Sequence, residues 1–175
     1  MLGVYIVIGI MVIILIYKII IEPNIRYKNV YEMLEKFEEG EFLLTPVKSR
    51  TFEFKLENAE IILLIKVLPI PHNSAVTINS KYTWRLQWGG SSSKAGRPYP
   101  RSRYLNEMIP FLKDVVKSDK KVLKVTLLYP KTEKVLRYLN ESDLDIIEPK
   151  DTPHGYKVVS FNEFEEYFDD IINIK

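Results

Sequence analysis

The chain begins with MLGVYIVIGIMVIILIY at residues 1–17, a stretch that contains no charged side chain. After Lys18 the apolar run continues to Ile21. About twenty mostly apolar residues let a helix cross the hydrocarbon core of a bilayer, and a helix satisfies its own backbone hydrogen bonds there. The sequence therefore predicts a transmembrane anchor over residues 1–22 that contacts the lipid bilayer from Leu2 to Ile21.

The residues that flank this stretch predict its orientation. A cleaved secretory signal would need a positive stretch before the apolar core and small residues at the cut site, and neither is present. The positive charges lie on the C-terminal side, at Lys18, Arg26 and Lys28. Because excess Lys and Arg mark the cytoplasmic face, we expect a single-pass protein of the cell membrane with a cytoplasmic soluble part. Glu22 and Pro23 are expected to end the helix. A buried core helix is the alternative interpretation of the apolar run.

The composition limits what the rest of the chain can do. The 175 residues include 25 Lys and Arg against 23 Asp and Glu and no Cys, with a formal net charge of +2. A nearly neutral chain is not drawn to nucleic acid by its overall charge, and the lack of Cys excludes disulfides, a thiol nucleophile and thiolate metal sites. We expect a linker and first helix over residues 23–50 and one soluble α/β domain over residues 51–175.

Hydrophobic periodicity predicts the elements of the first half of this domain. Val30, Met33, Leu34 and Phe37 have helical spacing, and Gly40 follows where a left-handed end is expected. The predicted strands are residues 51–56, which alternate, residues 61–68, which read as a central strand covered on both faces, and residues 76–78 and 82–88.

The second half continues with mixed elements. A helix is predicted over residues 105–116, with Pro110 kinking it or setting its start. Strands are expected at residues 122–129, 144–147 and 157–159, with a short helix at residues 134–139. Ser160 and Glu163 have the spacing of a capping box that opens a last helix. The predicted fold class is α/β (α+β), with a central mixed β-sheet flanked by helices.

The order of these elements, αβββαβ, resembles that of the restriction-endonuclease-like, or PD-(D/E)XK, nuclease fold. The stretch Leu64-Ile65-Lys66-Val67, followed by Trp84, a Gly-rich loop, an amphipathic helix and a strand, resembles the layout of nuclease-related (NERD) domains over residues 52–159. The resemblance implies a Mg²⁺ ion held by an acid on one strand and by the acid of an acid-x-Lys doublet on the next. Carboxylates suit this hard cation, which polarises the phosphate and lowers the pKa of the attacking water.

The chain departs from that pattern at the acid of the doublet. If Lys66 is the family lysine, the acid position is Leu64, and if Lys81 is used, the position is Asn79. One remaining carboxylate is a poor Mg²⁺ site. We therefore predict no catalytic residues, no metal and no cofactor, in a nuclease-like domain that serves binding or assembly. The alternative is a membrane-tethered, Mg²⁺-dependent nuclease with a rearranged acidic site that uses Lys66 with Glu53, or Lys81 with Glu60.

A local basic cluster is the main candidate for binding. Lys94, Arg97, Arg101 and Arg103 follow a Gly- and Ser-rich stretch, with no acid before Glu107. Arginine forks bind phosphate oxygens well, so the cluster predicts an anionic ligand, which stays open between nucleic acid and lipid headgroups. A solvated loop is the alternative. A protein partner is the other contact that a binding domain would make.

Two further patterns are assigned to structure rather than to a site. His72 and His154 are separated by most of the domain, and without Cys or a His-x-x-His spacing no zinc site is predicted. The aromatic and apolar residues that alternate over residues 82–88 are expected in the core or on a partner-facing sheet rather than as a platform for bases.

Overall fold

A long helix opens the chain. The computed structural model describes residues 2–72, 74–88, 103–132, 134–140 and 143–173. Helix α1 (Leu2–Ile16) runs through a π-helical turn (Tyr17–Ile21) into α2 (Glu22–Glu35) and a 3₁₀ turn (Lys36–Gly40). Within the run Gly3–Gly40 lies one window that is long and apolar enough to cross a membrane, and none of that window is buried.

The expected helix end at Glu22 and Pro23 is wrong, because the helix continues through the proline. Proline lacks an N–H group, and in a helix its ring collides with the carbonyl four residues earlier. The π turn ends where the Glu22 N–H bonds to the carbonyl of Tyr17, five residues back, and this wider turn accommodates the ring. The residue in the left-handed conformation that follows the first helix was expected at Gly40. It is Glu41 (φ 80°), which comes directly after the 3₁₀ turn.

Sheet A is built around the strand that was predicted to be central. Its order is β1 (Leu43–Pro46), β2 (Phe54–Glu57), β3 (Ile61–Pro69), β7 (Lys121–Tyr129), β10 (Tyr156–Ser160). β3 and β10 are both parallel to β7, whereas β1 and β2 are antiparallel additions. β3 is nearly all apolar because both faces are covered: Leu63, Ile65 and Val67 belong to one core, and Ile62, Leu64 and Leu68 to the other.

Sheet B covers the second face of sheet A. Its order is β6 (Arg103–Tyr104), β5 (Thr83–Trp88), β4 (Ser74–Ser80), β8 (Lys134–Asn140), β9 (Asp143–Ile147). Helix α3 (Ile109–Lys113) packs into the same core, while α2 and α4 (Phe168–Ile172) pack on the other face of sheet A. The structure is therefore α+β with two mixed sheets in place of the single central sheet that we expected. The restriction-endonuclease-like order αβββαβ is not confirmed.

The helix predicted over residues 134–139 is a strand, β8. It pairs in parallel with β4 and antiparallel with β9, so both of its edges are hydrogen-bonded. Val135 and Leu136 are both buried. A short apolar run of this kind does not distinguish a helical from a strand period, and here pairing with two neighbours decides the outcome.

Two predicted helix boundaries differ from the structure. The helix expected over residues 105–116 is a 3₁₀ turn (Asn106–Met108) followed by α3, so Pro110 lies in the first turn of α3 and Val115 beyond its end is 80% exposed. The capping box is wrong, since the Ser160 side chain caps no helix. Its Oγ accepts a hydrogen bond from the Thr132 N–H at 3.3 Å.

A buried lysine joins three segments of the domain. Lys157 on β10 is only 1% exposed. Its Nζ donates hydrogen bonds to the carbonyl oxygens of Lys150 at 2.6 Å, Asp170 at 2.9 Å and Pro149 at 3.4 Å. Burial lowers the pKa of this ammonium group. The three carbonyls satisfy its three donors, and the side chain thereby holds the turn after β9 and helix α4 against sheet A.

Candidate functional site

Glu53 and Lys66, one of the two pairs named for an enzyme, lie side by side. Glu53 precedes β2, and its N–H donates to the carbonyl of Ile65 at 3.0 Å, which places it opposite Lys66 on β3. Lys66 Nζ donates to Glu53 Oε1 at 2.7 Å, and the Val67 N–H donates to Glu53 Oε2 at 2.8 Å. The side chains are 30% and 14% exposed for Glu53 and Lys66. Both carboxylate oxygens are therefore occupied by donors from β3.

This arrangement is suited to joining strands rather than to holding a cation. Mg²⁺ needs several oxygen ligands, and a carboxylate already bound to an ammonium group and an N–H offers few free lone pairs. Within the described ranges there is no group of three or more His, Asp or Glu side chains that could hold a metal ion. Glu53 lines a groove of about 270 Å³ together with Pro23, Arg26 and Tyr27 of α2, so this carboxylate lies next to the long helix.

The second pair, Lys81 with Glu60, is not brought together. Lys81 lies in the turn between β4 and β5 of sheet B, with its Nζ 5.6 Å from the centre of the Tyr82 ring. Glu60 precedes β3 of sheet A, where its N–H donates to Asn58 Oδ1 at 2.9 Å. No hydrogen bond or ion pair joins these two described residues, so an enzyme built on this register would lack its acid.

The basic cluster is described only at its last residue. Lys94, Arg97 and Arg101 lie outside the described residues, and their predicted role stays a prediction. Arg103 begins β6, and its exposed guanidinium group forms an ion pair with Glu107. It also lines a groove of about 480 Å³ that includes Lys18 and Leu86, on the side of the domain where the long helix enters.

The anionic ligand of this cluster can be tested with a triple variant. Replacing Arg97, Arg101 and Arg103 by Ala in the full chain, held in neutral nanodiscs, is expected to weaken binding to single-stranded DNA or to anionic vesicles. Each lost nucleic-acid contact removes about one released counterion, so the salt dependence should also flatten. Binding is measured across a salt series, with Lys48→Ala as the control. A triple variant with the parent affinity and salt slope would favour the solvated loop.

A cleft that no sequence pattern predicts lies at the other end of sheet A. It has a volume of about 370 Å³ and lies between the β4–β5 turn, the end of α3 and the turn that precedes β10. Its basic side chains are Lys81, Lys113, Lys124 and His154, and its apolar wall includes Tyr82, Val115 and Val116. Elements distant in the sequence therefore bring several cationic groups to one concave surface.

Lys124 forms the rigid wall of this cleft. Its Nζ donates to the carbonyl oxygens of Phe111 at 2.6 Å and Leu112 at 3.0 Å, and also to that of Asp114. These are the free carbonyls at the end of α3, where a cation is favoured by the helix dipole. The ammonium group lies 5.8 Å from the centre of the Tyr156 ring. Burial lowers the pKa of Lys124, and Asp114 partly opposes that shift.

His154 occupies an unusual backbone conformation beside these lysines. Its φ and ψ are 55° and 22°, in the left-handed region that few residues other than glycine adopt, and Gly155 follows at φ 86°. The pKa of the imidazole is lowered by burial first, and then by the positive charges of Arg137 and Lys81. His154 therefore lies in positive surroundings that favour its neutral form.

Little in the sequence indicates this cleft, because its residues have no characteristic spacing. The one available signal is Lys124, a lysine within the otherwise apolar strand β7, whose ammonium group would need a partner if buried. The position of His154 follows only from the tertiary structure. No protein-family model, curated protein or solved structure matches the chain, so the candidate site rests on its own geometry.

Proposed function

We propose that the protein is a single-pass membrane protein whose cytoplasmic domain is nuclease-like in layout but serves binding or assembly and not catalysis. The observation that carries the proposal is that both carboxylate oxygens of Glu53 already accept hydrogen bonds. The acid and the lysine of the enzyme register meet, but Lys66 and the Val67 N–H occupy both carboxylate oxygens. Among the described residues no cluster of acids and histidines completes a metal site around them.

The long helix supports the membrane part of the proposal. Its apolar window is unburied, so the domain core does not use it. Lys18 at the end of the apolar run forms an ion pair with Glu22 at 2.8 Å, one turn further on. Polar side chains therefore begin where a bilayer interface would lie, and α2 continues directly into the first core.

The purified full chain is expected to show no Mg²⁺- or Mn²⁺-dependent cleavage of DNA or RNA, since one occupied carboxylate cannot hold the metal. The assay compares the parent with Glu53→Ala and with Glu60→Ala at matched protein concentrations. Reproducible cleavage that either Glu53→Ala or Glu60→Ala abolishes would establish the enzyme alternative. Cleavage that neither substitution changes would indicate a contaminating nuclease.

The orientation can be measured cleanly because the chain has no Cys. We expect that the single-cysteine variant Lys48→Cys, at an exposed position of the domain, reacts with a membrane-impermeant maleimide only after cells are permeabilised. A separate variant, whose single cysteine is introduced before Leu2, should give the opposite labelling pattern. Labelling of Lys48→Cys in intact cells would show that the domain lies outside.

A further inference from the structure

The cleft around Lys81 carries uncompensated positive charge. Lys81, Lys113 and Lys124 contribute three ammonium groups, and Asp114 is the acid among the lining residues. Arg137 acts on His154 as a further positive charge from outside the lining. The cleft therefore presents about two net positive charges to any ligand that enters it.

Two of the lysines have donors to offer. All three hydrogens of the Lys124 ammonium group are used by backbone carbonyls, so Lys124 supplies charge and rigidity rather than a new hydrogen bond. Lys81 and Lys113, by contrast, lie 5.6 and 5.7 Å from the centre of the same Tyr82 ring. Neither forms a hydrogen bond or ion pair with another described residue. Both lysines line the cleft beside the same ring, and their ammonium groups have donors free for a ligand.

His154 adds a third donor, on a backbone of unusual conformation. A left-handed conformation at a residue other than glycine costs free energy, and such conformations concentrate at ligand sites. The positive charges of Lys81 and Arg137 disfavour its protonation. An anion bound between these groups would cancel that repulsion and allow His154 to take up a proton.

The cleft lies away from the side where the long helix enters. Tyr129, at the far end of β7, accepts a hydrogen bond from Asn29 of α2 at 2.8 Å, whereas Lys124 lies five residues earlier on the same strand. That separation is roughly 16 Å along a strand. The ligand should therefore come from solution rather than from the headgroups of the membrane. The exposed side chains of Val115 and Tyr82 provide an apolar wall for an organic ligand.

We propose that this cleft binds a small soluble molecule with a doubly charged phosphate monoester group. The phosphate lies between Lys81, Lys113 and His154, and the organic part contacts Tyr82 and Val115. The charge of a phosphate monoester balances the two net positive charges of the cleft. The choice of a soluble ligand over a lipid headgroup rests on the proposed membrane anchor, whereas the phosphate site itself depends neither on that anchor nor on the absence of catalysis.

Histidine NMR tests the site directly, because the chain has only two histidines, His72 and His154. The full chain with ¹³C-labelled histidine, in detergent micelles, is titrated with adenosine monophosphate, with inorganic phosphate and with adenosine. Adenosine monophosphate is expected to shift the His154 signals saturably and to raise the pKa of His154, while His72 stays unchanged. Inorganic phosphate should bind more weakly at the same site, and adenosine should leave His154 unchanged.

Matched variants separate the site from general charge effects. Lys81→Ala and Lys113→Ala are each expected to weaken adenosine monophosphate binding by about tenfold, the effect of losing one charged hydrogen bond. Lys48→Ala removes the same charge from an exposed position outside the cleft and should bind like the parent. The fluorescence of Trp84, which is 1% exposed in the core, reports whether each variant is folded. Equal shifts at both histidines, an effect of adenosine equal to that of the phosphate ester, or parent affinity in both cleft variants would overturn the proposal.

Discussion

Replacing Lys157 by Ala is expected to lower the free energy of unfolding by about 3–5 kcal/mol, a large part of the stability of a domain of this size. The substitution removes a 1% exposed side chain together with the donors that satisfy the carbonyls of Lys150, Asp170 and Pro149. A buried carbonyl without a partner loses its hydration without compensation, and the deleted stem leaves a cavity. Urea unfolding of the full chain in micelles, followed by tryptophan fluorescence, measures the loss.

Two controls identify the source of that loss. Lys157→Met keeps most of the apolar stem but not the donors. It is therefore expected to restore the share of the free energy of unfolding that Lys157→Ala loses to the cavity, but not the share lost because the carbonyls have no donor. Lys150→Ala removes an exposed lysine that pairs with Glu148 at 2.5 Å, and should unfold at nearly the same urea concentration as the parent, because an exposed ion pair contributes little to stability. If the free energy of unfolding of Lys157→Ala were within about 1 kcal/mol of that of the parent, the three hydrogen bonds would not stabilise the domain as the structure indicates.

Placing arginine at both Met11 and Leu15 is expected to abolish membrane insertion. Fourteen Leu, Ile and Val residues lie between residues 2 and 21, and at about 0.3–0.6 kcal/mol each they favour insertion by roughly 4–8 kcal/mol. Two arginines near the middle of the span cost about 5–7 kcal/mol, which is enough to offset that preference. A single Met11→Arg should leave a partly inserted population.

Alkaline carbonate extraction of membranes is the measurement. The parent and the matched variant Met11→Leu are expected to stay in the pellet, and the double arginine variant in the supernatant. Release of the parent protein by carbonate would contradict the anchor. A truncated chain without residues 1–22 is expected to stay soluble and folded, and its consistent aggregation would show that the helix belongs to the core instead.

Features that depend on one short stretch of chain were predictable. The apolar N-terminal run, the central strand β3 and the strand β7 each follow from local composition, because a helix exposed on all sides and a strand covered on both faces need continuous apolar sequence. The pairing of Glu53 with Lys66 was also among the alternatives, and the register of β2 against β3 brings the two residues together.

Features set by distant neighbours were not predictable. β8 is a strand because β4 and β9 offer backbone partners on both sides, and residues 134–139 alone do not encode that choice. The proline at residue 23 was expected to end the helix, but the helix continues because a π turn before the proline makes room for its ring. The cleft requires the β4–β5 turn, the end of α3 and the turn at His154 to meet, and one sequence carries no signal for such a meeting.

The unbroken helix has a mechanical consequence. Val30, Met33 and Leu34 of α2 are buried in the first core, and α2 is continuous with the apolar helix through the π turn. No flexible joint therefore separates the two parts, so the orientation of the domain is tied to the tilt and rotation of the helix. If the apolar helix spans a bilayer, as we propose, a rotation of this helix about its own axis would rotate sheet A and would turn the opening of the cleft around Lys81 to a new direction.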